Sequence, residues 1–389
     1  MTEQEEKRKR PVSGMSAGVT AALIALILAV TAGVLALLYF TALRPLLQKR
    51  EPAGQTQGET IAEQPETPAE PSEPTPAEDN ETPAQDERHP AQELQPVEPE
   101  EEAPAEPTEA PEEKTYAHAA ETDATQVLDL QLYSERAILI DADTNTVIAE
   151  KNPDDRIFPA SMTKVMTALV ACEQIENWDD TFTMTQAIID PLYLAGASMA
   201  GFVNGEMVTM RDLLYGAVVP SGAEATEALA QAVAGSEEAF VAMMNEKAAA
   251  LGLTNTHFMN TSGLHDENHY STVREIALIL QAALENETCA EILSAENYRA
   301  SETEQHPDGL AMTNKFLYRV HHEYALNGAE ITAAKTGYTT EAMNCCASAG
   351  KTPDGRSVIC VTANAWTGDF CIEDHIALYT KYCGSAEAE

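Results

Sequence analysis

The stretch Phe158-Pro159-Ala160-Ser161-Met162-Thr163-Lys164 places a serine three residues before a lysine, where an apolar-periodic segment begins. Residues three apart lie on the same side of a helix, so Ser161 and Lys164 are predicted to touch. A lysine with a depressed pKa could take the proton of such a serine. The pattern alone is weak, because a solvated serine and lysine occur at this spacing in many helices. The helix itself is predicted from apolar residues at i, i+3, i+4, i+7 and i+8, which are Met162, Val165, Met166, Leu169 and Val170.

The formal net charge of the chain is −40 over 389 residues, and it is unevenly distributed. Residues 1–50 carry seven Lys or Arg and three Glu, whereas residues 51–125 carry 22 acidic and two basic residues. The rest of the chain is acidic as well. This charge argues strongly against nucleic acid as a partner.

An uncharged segment from Pro11 to Leu43 follows the basic cluster Lys7-Arg8-Lys9-Arg10. It is long enough to span about 30 Å of hydrocarbon, whereas a cleaved signal peptide has an apolar core of about 7–15 residues. We therefore predict an uncleaved transmembrane anchor at residues 15–43 after a cytoplasmic tail at residues 1–14. The basic cluster places the tail in the cytoplasm and everything after the span outside it.

Residues 44–130 are predicted to be a disordered, Pro/Glu-rich linker. Residues 51–125 hold 13 of the 21 prolines of the chain and almost no large apolar side chain, so they cannot bury enough surface to fold. In a polyproline II conformation such a segment would reach at most roughly 230 Å. Its position between an anchor and a globular part favours a stalk over a tolerated disordered insert.

The globular part is predicted to comprise residues 131–389 and to be of the α+β class. A β-hairpin, a block of helices and a β-meander imply that strands far apart in sequence share one antiparallel sheet, flanked by helices and joined by a mostly helical subdomain. The predicted elements are a hairpin at Ala137–Lys151, helices at Met210–Val218, Ala225–Ala234, Ser236–Leu251 and Thr272–Leu284, strands at Ile331–Tyr338, Ala342–Ala349 and Ser357–Asn364, and a last helix at Cys371–Tyr382.

The cysteines and histidines do not form a metal-binding pattern. The seven cysteines lack any C-x-x-C pair, and their mostly apolar surroundings predict buried hydrophobic side chains, with a disulfide between two of them left open. His265 and His269 are four residues apart, but the sequence around them is typical of a loop and offers no third ligand. With no nucleotide-binding motif either, the sequence predicts no metal and no cofactor.

Two later elements strengthen the interpretation of Ser161 and Lys164 as functional residues. Ser221-Gly222-Ala223 lies between two helical segments, and Lys335-Thr336-Gly337 lies in a strand-like segment. Together with Ser161 and Lys164, they resemble the ordered motifs S-x-x-K, S-x-N and K-T-G of the serine D-alanyl-D-alanine carboxypeptidases, the low-molecular-weight penicillin-binding proteins of the S11 peptidase family. The resemblance covers roughly residues 134–383. It includes flanking segments, which are Ile138–Lys151, Val208–Leu214, Asn260-Thr-Ser-Gly-Leu264 and His269-Tyr-Ser-Thr272.

The resemblance implies a β-lactamase/transpeptidase-like fold and a role for each matching residue. Ser161 would be the nucleophile, Lys164 the base that activates it, and Ser221 a proton relay to the leaving amine. Substrate binding would fall to four consecutive residues, with the backbone N–H groups of Ser161 and Tyr338 as the oxyanion hole. These substrate-binding residues are Lys335, Thr336, Gly337 and Tyr338.

The chain departs from the family at Ala223, where the S-x-N motif has asparagine. The loss of one positioned donor at a reacting centre commonly costs on the order of 10²–10³ in rate. We therefore expect a membrane-anchored, extracytoplasmic D-Ala-D-Ala carboxypeptidase that acts on peptidoglycan stem peptides and is acylated by β-lactams. Two alternatives stay open: a catalytically impaired peptidoglycan-binding or β-lactam-binding protein of the same fold, and a β-lactamase.

Overall fold

The structure, a computed structural model, describes residues 116–128 and 131–385. The described strands are β1 (Gln126–Val127), β2 (Arg136–Asp141), β3 (Thr146–Lys151), β4 (Thr181–Thr183), β5 (Met207–Thr209), β6 (Asn297–Arg299), β7 (Ala311–Thr313), β8 (Glu330–Thr339), β9 (Met343–Lys351) and β10 (Ser357–Ala365). The helices are α1 (Thr163–Gln174), α2 (Gln186–Leu194), α3 (Met210–Val218), α4 (Ala223–Ala234), α5 (Glu237–Ala250), α6 (Val273–Glu285), α7 (Glu287–Leu293), α8 (Lys315–Glu323) and α9 (Gly368–Tyr382), with a 3₁₀ turn at Ala160–Met162.

Within the part of the chain that the structure describes, no helix is both long enough and apolar enough to span a bilayer. The anchor predicted at residues 15–43, the tail at residues 1–14 and most of the linker lie outside the described residues. They stay predictions.

Six strands form the central sheet in the order β1-β3-β2-β10-β9-β8. All neighbouring pairs are antiparallel except β1 with β3. The predicted hairpin is confirmed as β2 and β3, and its turn ends on Asn145 at φ +52°. Because β2 pairs with β10, strands from the two ends of the globular part share one sheet, as the element order predicted. At one edge of this sheet lies β8, which carries Lys335-Thr336-Gly337.

Helices cover both faces of the sheet, so the α+β prediction is confirmed. Along β2, Ile138 and Ile140 belong to the core formed with α1 and α6, whereas Ala137 and Leu139 belong to the core formed with α8 and α9. Successive side chains of a strand point to opposite faces. A strand buried on both sides therefore becomes an uninterrupted apolar segment.

The folded part begins before Gln131, where the linker had been predicted to continue. Gln126 and Val127 pair in parallel with Ala149 and Glu150 of β3, and Ala119 and Leu128 are buried. The linker predicted at residues 44–130 therefore extends too far at its C-terminal end. A two-residue strand has no visible period, so sequence composition could not reveal it.

All seven cysteines are buried free thiols. This confirms their interpretation as small apolar packing residues, and it places no disulfide among the residues that the structure describes.

Candidate active site

A cleft of about 1290 Å³ lies between the edge strand β8 and the helical block that contains α1 and α4. Every residue to which the sequence assigned a role lines it, and these are Ser161, Lys164, Ser221, Lys335, Thr336, Gly337 and Tyr338. Strand β8 thus brings the third motif to the first two from more than 100 residues away. The structure shows this proximity, while the catalytic roles stay predictions.

Ser161 lies in the 3₁₀ turn that leads into α1, and Lys164 lies in the first turn of that helix. The Lys164 Nζ donates to Ser161 Oγ at 2.9 Å and to the Ser262 carbonyl oxygen at 2.6 Å. Lys164 is only 2% exposed. The predicted contact between the two side chains is therefore confirmed, and a fixed backbone acceptor holds the amine from its other side.

The Ser262 carbonyl is a site group that sequence reasoning missed. It belongs to the loop Asn260–Leu264, in which Asn260 Oδ1 accepts from Gly263 N at 2.7 Å and Asn260 Nδ2 donates to Leu264 O at 2.9 Å. Thr167 of α1 also donates to Thr261 O at 2.7 Å. These bonds fix the direction of the Ser262 carbonyl. A sequence pattern, which concerns side chains, does not reveal the direction of a backbone group.

Ala160, directly before the serine, has φ +46°, a left-handed conformation that is costly for a residue with a Cβ. Two glycines leave room for it. A Cβ on Gly263 would lie 1.8 Å from Ala160 O, and one on Gly337 would lie 2.8 Å from Ser161 N. The strained turn is thus held between the 260–264 loop and β8, and it sets where Ser161 points.

We predict that Gly263→Ala lowers the D-Ala release activity by about 10²-fold, because a shift of the serine turn of roughly 1 Å has that effect on a reacting geometry. Gly235→Ala is the matched control, since Gly235 has nearly the same φ (+81° against +82°) and nothing within 4 Å of the added Cβ. In each variant the free energy of unfolding decreases by about 1 kcal/mol, because a residue with a Cβ disfavours the left-handed backbone conformation. Equal activity of the two folded variants would contradict the role given to this contact.

The second and third motifs meet at Lys335. Its Nζ donates to Ser221 Oγ at 2.9 Å and to Thr336 O at 2.7 Å. Ser221 has φ +68°, so another strained, non-glycine backbone presents a site hydroxyl. Lys335 is 2% exposed, and it provides the cleft with a buried cation that suits a substrate carboxylate.

Burial lowers the pKa of both lysines, most strongly that of Lys164. For Lys164, desolvation is the largest cause and the nearby Lys335 adds to it, while Glu224 partly opposes them. Desolvation also lowers the pKa of Lys335, to about 8. Lys164 is therefore poised to be a neutral amine at pH values where Lys335 still carries its charge, as a base and a carboxylate-binding cation require.

We predict that kcat/KM for a D-Ala-D-Ala peptide decreases above about pH 8, since Lys335 loses its charge there and with it the attraction for the substrate carboxylate. The Lys335→Arg variant keeps its charge to higher pH, so its decreasing limb should shift upward whatever its maximal rate. Rates measured from pH 6 to 10 test this. A limb that stays in place in the arginine variant would contradict the assignment.

The outer edge of β8 offers backbone groups to the cleft. The Ala334 carbonyl points away from β9, because it accepts from Asn314. Backbone groups alternate along a strand, so Thr336 and Tyr338 also direct theirs outward. Gly337 brings this edge against Ser161 N, and the Tyr338 side chain is 63% exposed. The predicted oxyanion donors, Ser161 N and Tyr338 N, therefore lie at neighbouring points of one cleft.

Ala223 begins α4 and is 1% exposed. Its N–H donates to Ser198 O at 2.8 Å, and its methyl group can give neither Lys164 nor a substrate a hydrogen bond. The following Glu224 is fully buried and accepts from Gly201 N at 2.8 Å. It thus holds the 198–202 segment beside the second motif.

The two histidines considered as ligands have separate roles. His269 is 2% exposed. Its Nδ1 accepts from Met259 N at 3.2 Å, so its Nε2 donates to Thr163 Oγ1 at 2.8 Å. Burial lowers the pKa of His269 to about 4. His265 lines the cleft and packs edge-on against Phe158. The imidazole rings of His265 and His269 are therefore not arranged to bind the same metal ion.

Comparison with known proteins agrees with this geometry. A protein-family model described as D-alanyl-D-alanine carboxypeptidase matches residues 120–367. The D-alanyl-D-alanine carboxypeptidase DacF of Bacillus subtilis is 32% identical over 243 residues, which are 62% of this chain and 60% of that protein. DacA of Escherichia coli is 38% identical over 161 residues, which are 40% of each chain.

Among solved structures, the Streptomyces K15 DD-transpeptidase superimposes with a TM-score of 0.59 at 28% sequence identity. The match covers 65% of this chain and 98% of that one. By contrast, the chain spans only 60% of the length of DacF and 40% of that of DacA.

Proposed function

We propose that this chain, which belongs to the D-alanyl-D-alanine carboxypeptidase family, removes the terminal D-Ala from peptidoglycan stem peptides through an acyl-enzyme on Ser161. The observation that carries the proposal is the buried amine of Lys164, 2.9 Å from the Ser161 hydroxyl, with its pKa lowered by desolvation and by Lys335. A hydroxyl needs such a neighbouring base to become a nucleophile at neutral pH.

In the acylation step, the Ser161 hydroxyl turns to donate to the neutral Lys164 amine across the 2.9 Å contact. The amine accepts the Ser161 proton, and the serine oxygen attacks the carbonyl carbon of the penultimate D-Ala. The N–H groups of Ser161 and Tyr338 stabilise the oxyanion. When the intermediate collapses, the C–N bond breaks and the leaving amine takes the proton that Lys164 accepted, relayed through Ser221, so that Lys164 is neutral again. Ser221 lies 2.9 Å from Lys335 Nζ. Lys335 and Thr336 bind the carboxylate of the departing D-Ala.

In the deacylation step, water replaces the departed D-Ala. The Lys164 amine accepts a proton from this water, whose oxygen attacks the ester carbon, and Ser161 Oγ leaves with the proton. The same base thus serves both half-reactions. The Ser262 carbonyl keeps the amine in place throughout, at 2.6 Å.

The direct test is D-Ala release by the full chain from a peptide that ends in D-Ala-D-Ala, with the L-Ala-L-Ala peptide as control. We expect release from the first peptide alone. Absence of release, in protein that a fluorescent penicillin still labels, would overturn the carboxypeptidase proposal in favour of a binding protein, for which Ala223 is the supporting feature. Rapid nitrocefin turnover would instead favour a β-lactamase.

β-Lactams are proposed as inhibitors that acylate Ser161.

The membrane is proposed as the location of the chain. Support for the location comes from the uncharged segment at residues 11–43 and the Pro/Glu-rich segment after it. Cell fractionation with external protease tests it. We expect the full chain in the membrane fraction and its carboxyl-terminal part cleaved from outside, and a protease-resistant or soluble chain would contradict the location.

A further inference from the structure

A buried thiol lies behind the two predicted oxyanion donors. Cys345 belongs to β9, which neighbours the edge strand β8, and it is 1% exposed. Its Sγ atom lies 3.3 Å from the Gly337 carbonyl oxygen and 3.3 Å from the Pro159 carbonyl oxygen. Cys345 therefore contacts both β8 and the turn that precedes Ser161, from the side away from the cleft.

The first contact acts on the peptide group that carries the Tyr338 N–H. The Gly337 carbonyl and the Tyr338 N–H belong to one planar, trans peptide, so they point in opposite directions. A donor that holds the inner carbonyl therefore fixes the direction of the outer N–H. Hydrogen bonds in series also polarise one another, so the thiol makes this N–H a stronger donor to an oxyanion.

The second contact acts on the turn that carries the Ser161 N–H. The Pro159 carbonyl lies at the start of that turn, where it also accepts from Met162 N at 3.1 Å. A Cβ on Gly337 would lie 2.8 Å from Cys345 Sγ and 2.8 Å from Ser161 N. The Sγ atom thus fills the space beside this glycine, and it sets how closely the strand approaches the turn.

The Cys345 thiol keeps the hydrogen that it donates. Burial raises its pKa well above the usual range of a cysteine, so the group is neutral at neutral pH. A thiol is a weak donor with a single hydrogen, which serves one of the two carbonyls at a time. In a buried site such a bond is electrostatically stronger than in water.

We propose that Cys345 is a positioning residue of the oxyanion hole. It acts through the Gly337–Tyr338 peptide and the Ser161 turn, and it sets the separation of the two N–H groups as well as the donor strength of Tyr338 N. The inference rests on the proposed function, since it concerns the acyl-enzyme on Ser161. It gives a role to a β9 side chain that takes no part in proton transfer or in carboxylate binding.

The test measures acylation by a penicillin and D-Ala release in three variants of the full chain. Cys345→Ala removes the donor, whereas Cys345→Ser keeps a hydroxyl donor at the same position. Cys360→Ala is the matched control, because Cys360 is also a fully buried thiol of the central sheet but packs in the core on the other face.

We expect Cys345→Ala to lower the acylation rate constant and kcat about tenfold, since displacing a donor costs less than the 10²–10³ of losing one. KM should change by less than about threefold, because the contact acts on the transition state. Cys345→Ser, which retains a donor, and the distant Cys360→Ala should stay within about threefold of the wild type.

The infrared band of the acyl-enzyme carbonyl separates positioning from a general loss of structure. Two well-placed N–H donors polarise this carbonyl and lower its stretching frequency. With a penicillin isotope-labelled at its lactam carbonyl, we expect the band to move to higher wavenumber in Cys345→Ala. It should keep its wild-type position in Cys345→Ser and in Cys360→Ala.

An unshifted band in folded Cys345→Ala would overturn the inference, whatever the rate of that variant. An equal shift in Cys360→Ala would overturn it as well. If Cys345→Ala does not fold, the S–H stretching band that the wild type has and Cys345→Ser lacks decides. This band should shift when a penicillin acylates Ser161, because the oxyanion contact polarises the shared peptide, and an unmoved band would contradict the assignment.

The wild type distinguishes failure of this inference from failure of the proposed function. Release of D-Ala and labelling by penicillin in the wild type, with an unshifted carbonyl band in Cys345→Ala, would overturn the inference alone. Absence of both D-Ala release and labelling in the wild type would overturn the proposed function and this inference with it.

Discussion

Ser161→Ala is expected to abolish D-Ala release, with a decrease in kcat of roughly 10⁴–10⁶, the range seen when a hydrolase loses its nucleophile. The substitution removes the Oγ atom that Lys164 Nζ contacts at 2.9 Å and leaves the rest of the cleft in place. The same variant should no longer be labelled covalently by penicillin. Initial rates of D-Ala release, measured on the folded full chain, give the decrease.

Ser198→Ala is the matched control, because Ser198 is an exposed serine of the same cleft. We expect it to change kcat by no more than about threefold, as surface substitutions usually have small effects. Release by Ser161→Ala at a tenth of the wild-type rate or more would contradict an acyl-enzyme on this serine.

Lys164→Met is expected to lower kcat by roughly 10²–10⁴, the contribution of a well-placed general base. Methionine fills much of the same buried volume without an amine. Because Lys164 is 2% exposed, removing a group that burial holds in an unfavourable environment should leave the melting temperature unchanged or raised. Loss of activity together with retained stability distinguishes a catalytic amine from a structural one.

Lys247→Met is the control for the preceding variant. Lys247 lies on α5, outside the cleft, and forms an ion pair with Glu173. Kinetics and thermal unfolding of the two variants are compared side by side. If Lys164→Met kept more than a tenth of the wild-type kcat, the base would have to be another group.

The local contacts of the site could be predicted from sequence. The i, i+3 spacing of Ser161 and Lys164 was enough, because a short-range contact depends on helix geometry alone. The contact between Ser161 and Lys164 is retained although the serine lies in a 3₁₀ turn and the α-helix begins at Thr163. The hairpin β2–β3 and strands β8 to β10 were likewise visible, since each combines a β-rich segment with a turn signal.

The features that sequence could not supply are tertiary. The Ser262 carbonyl is a backbone atom, and the φ of +46° at Ala160 depends on the space left by two glycines distant in the chain. Helix α8 was missed because it spans only nine residues, Lys315–Glu323, and the short strands β6 and β7 were missed as well. The edge contact of Asn314 depends on these elements.

The most direct measurement is peptide mapping by mass spectrometry of the full chain after brief incubation with a penicillin. We expect one penicilloyl group per chain, on the peptide that contains Ser161, and no adduct in the Ser161→Ala variant. An adduct on another residue, or one that persists in that variant, would contradict the central claim.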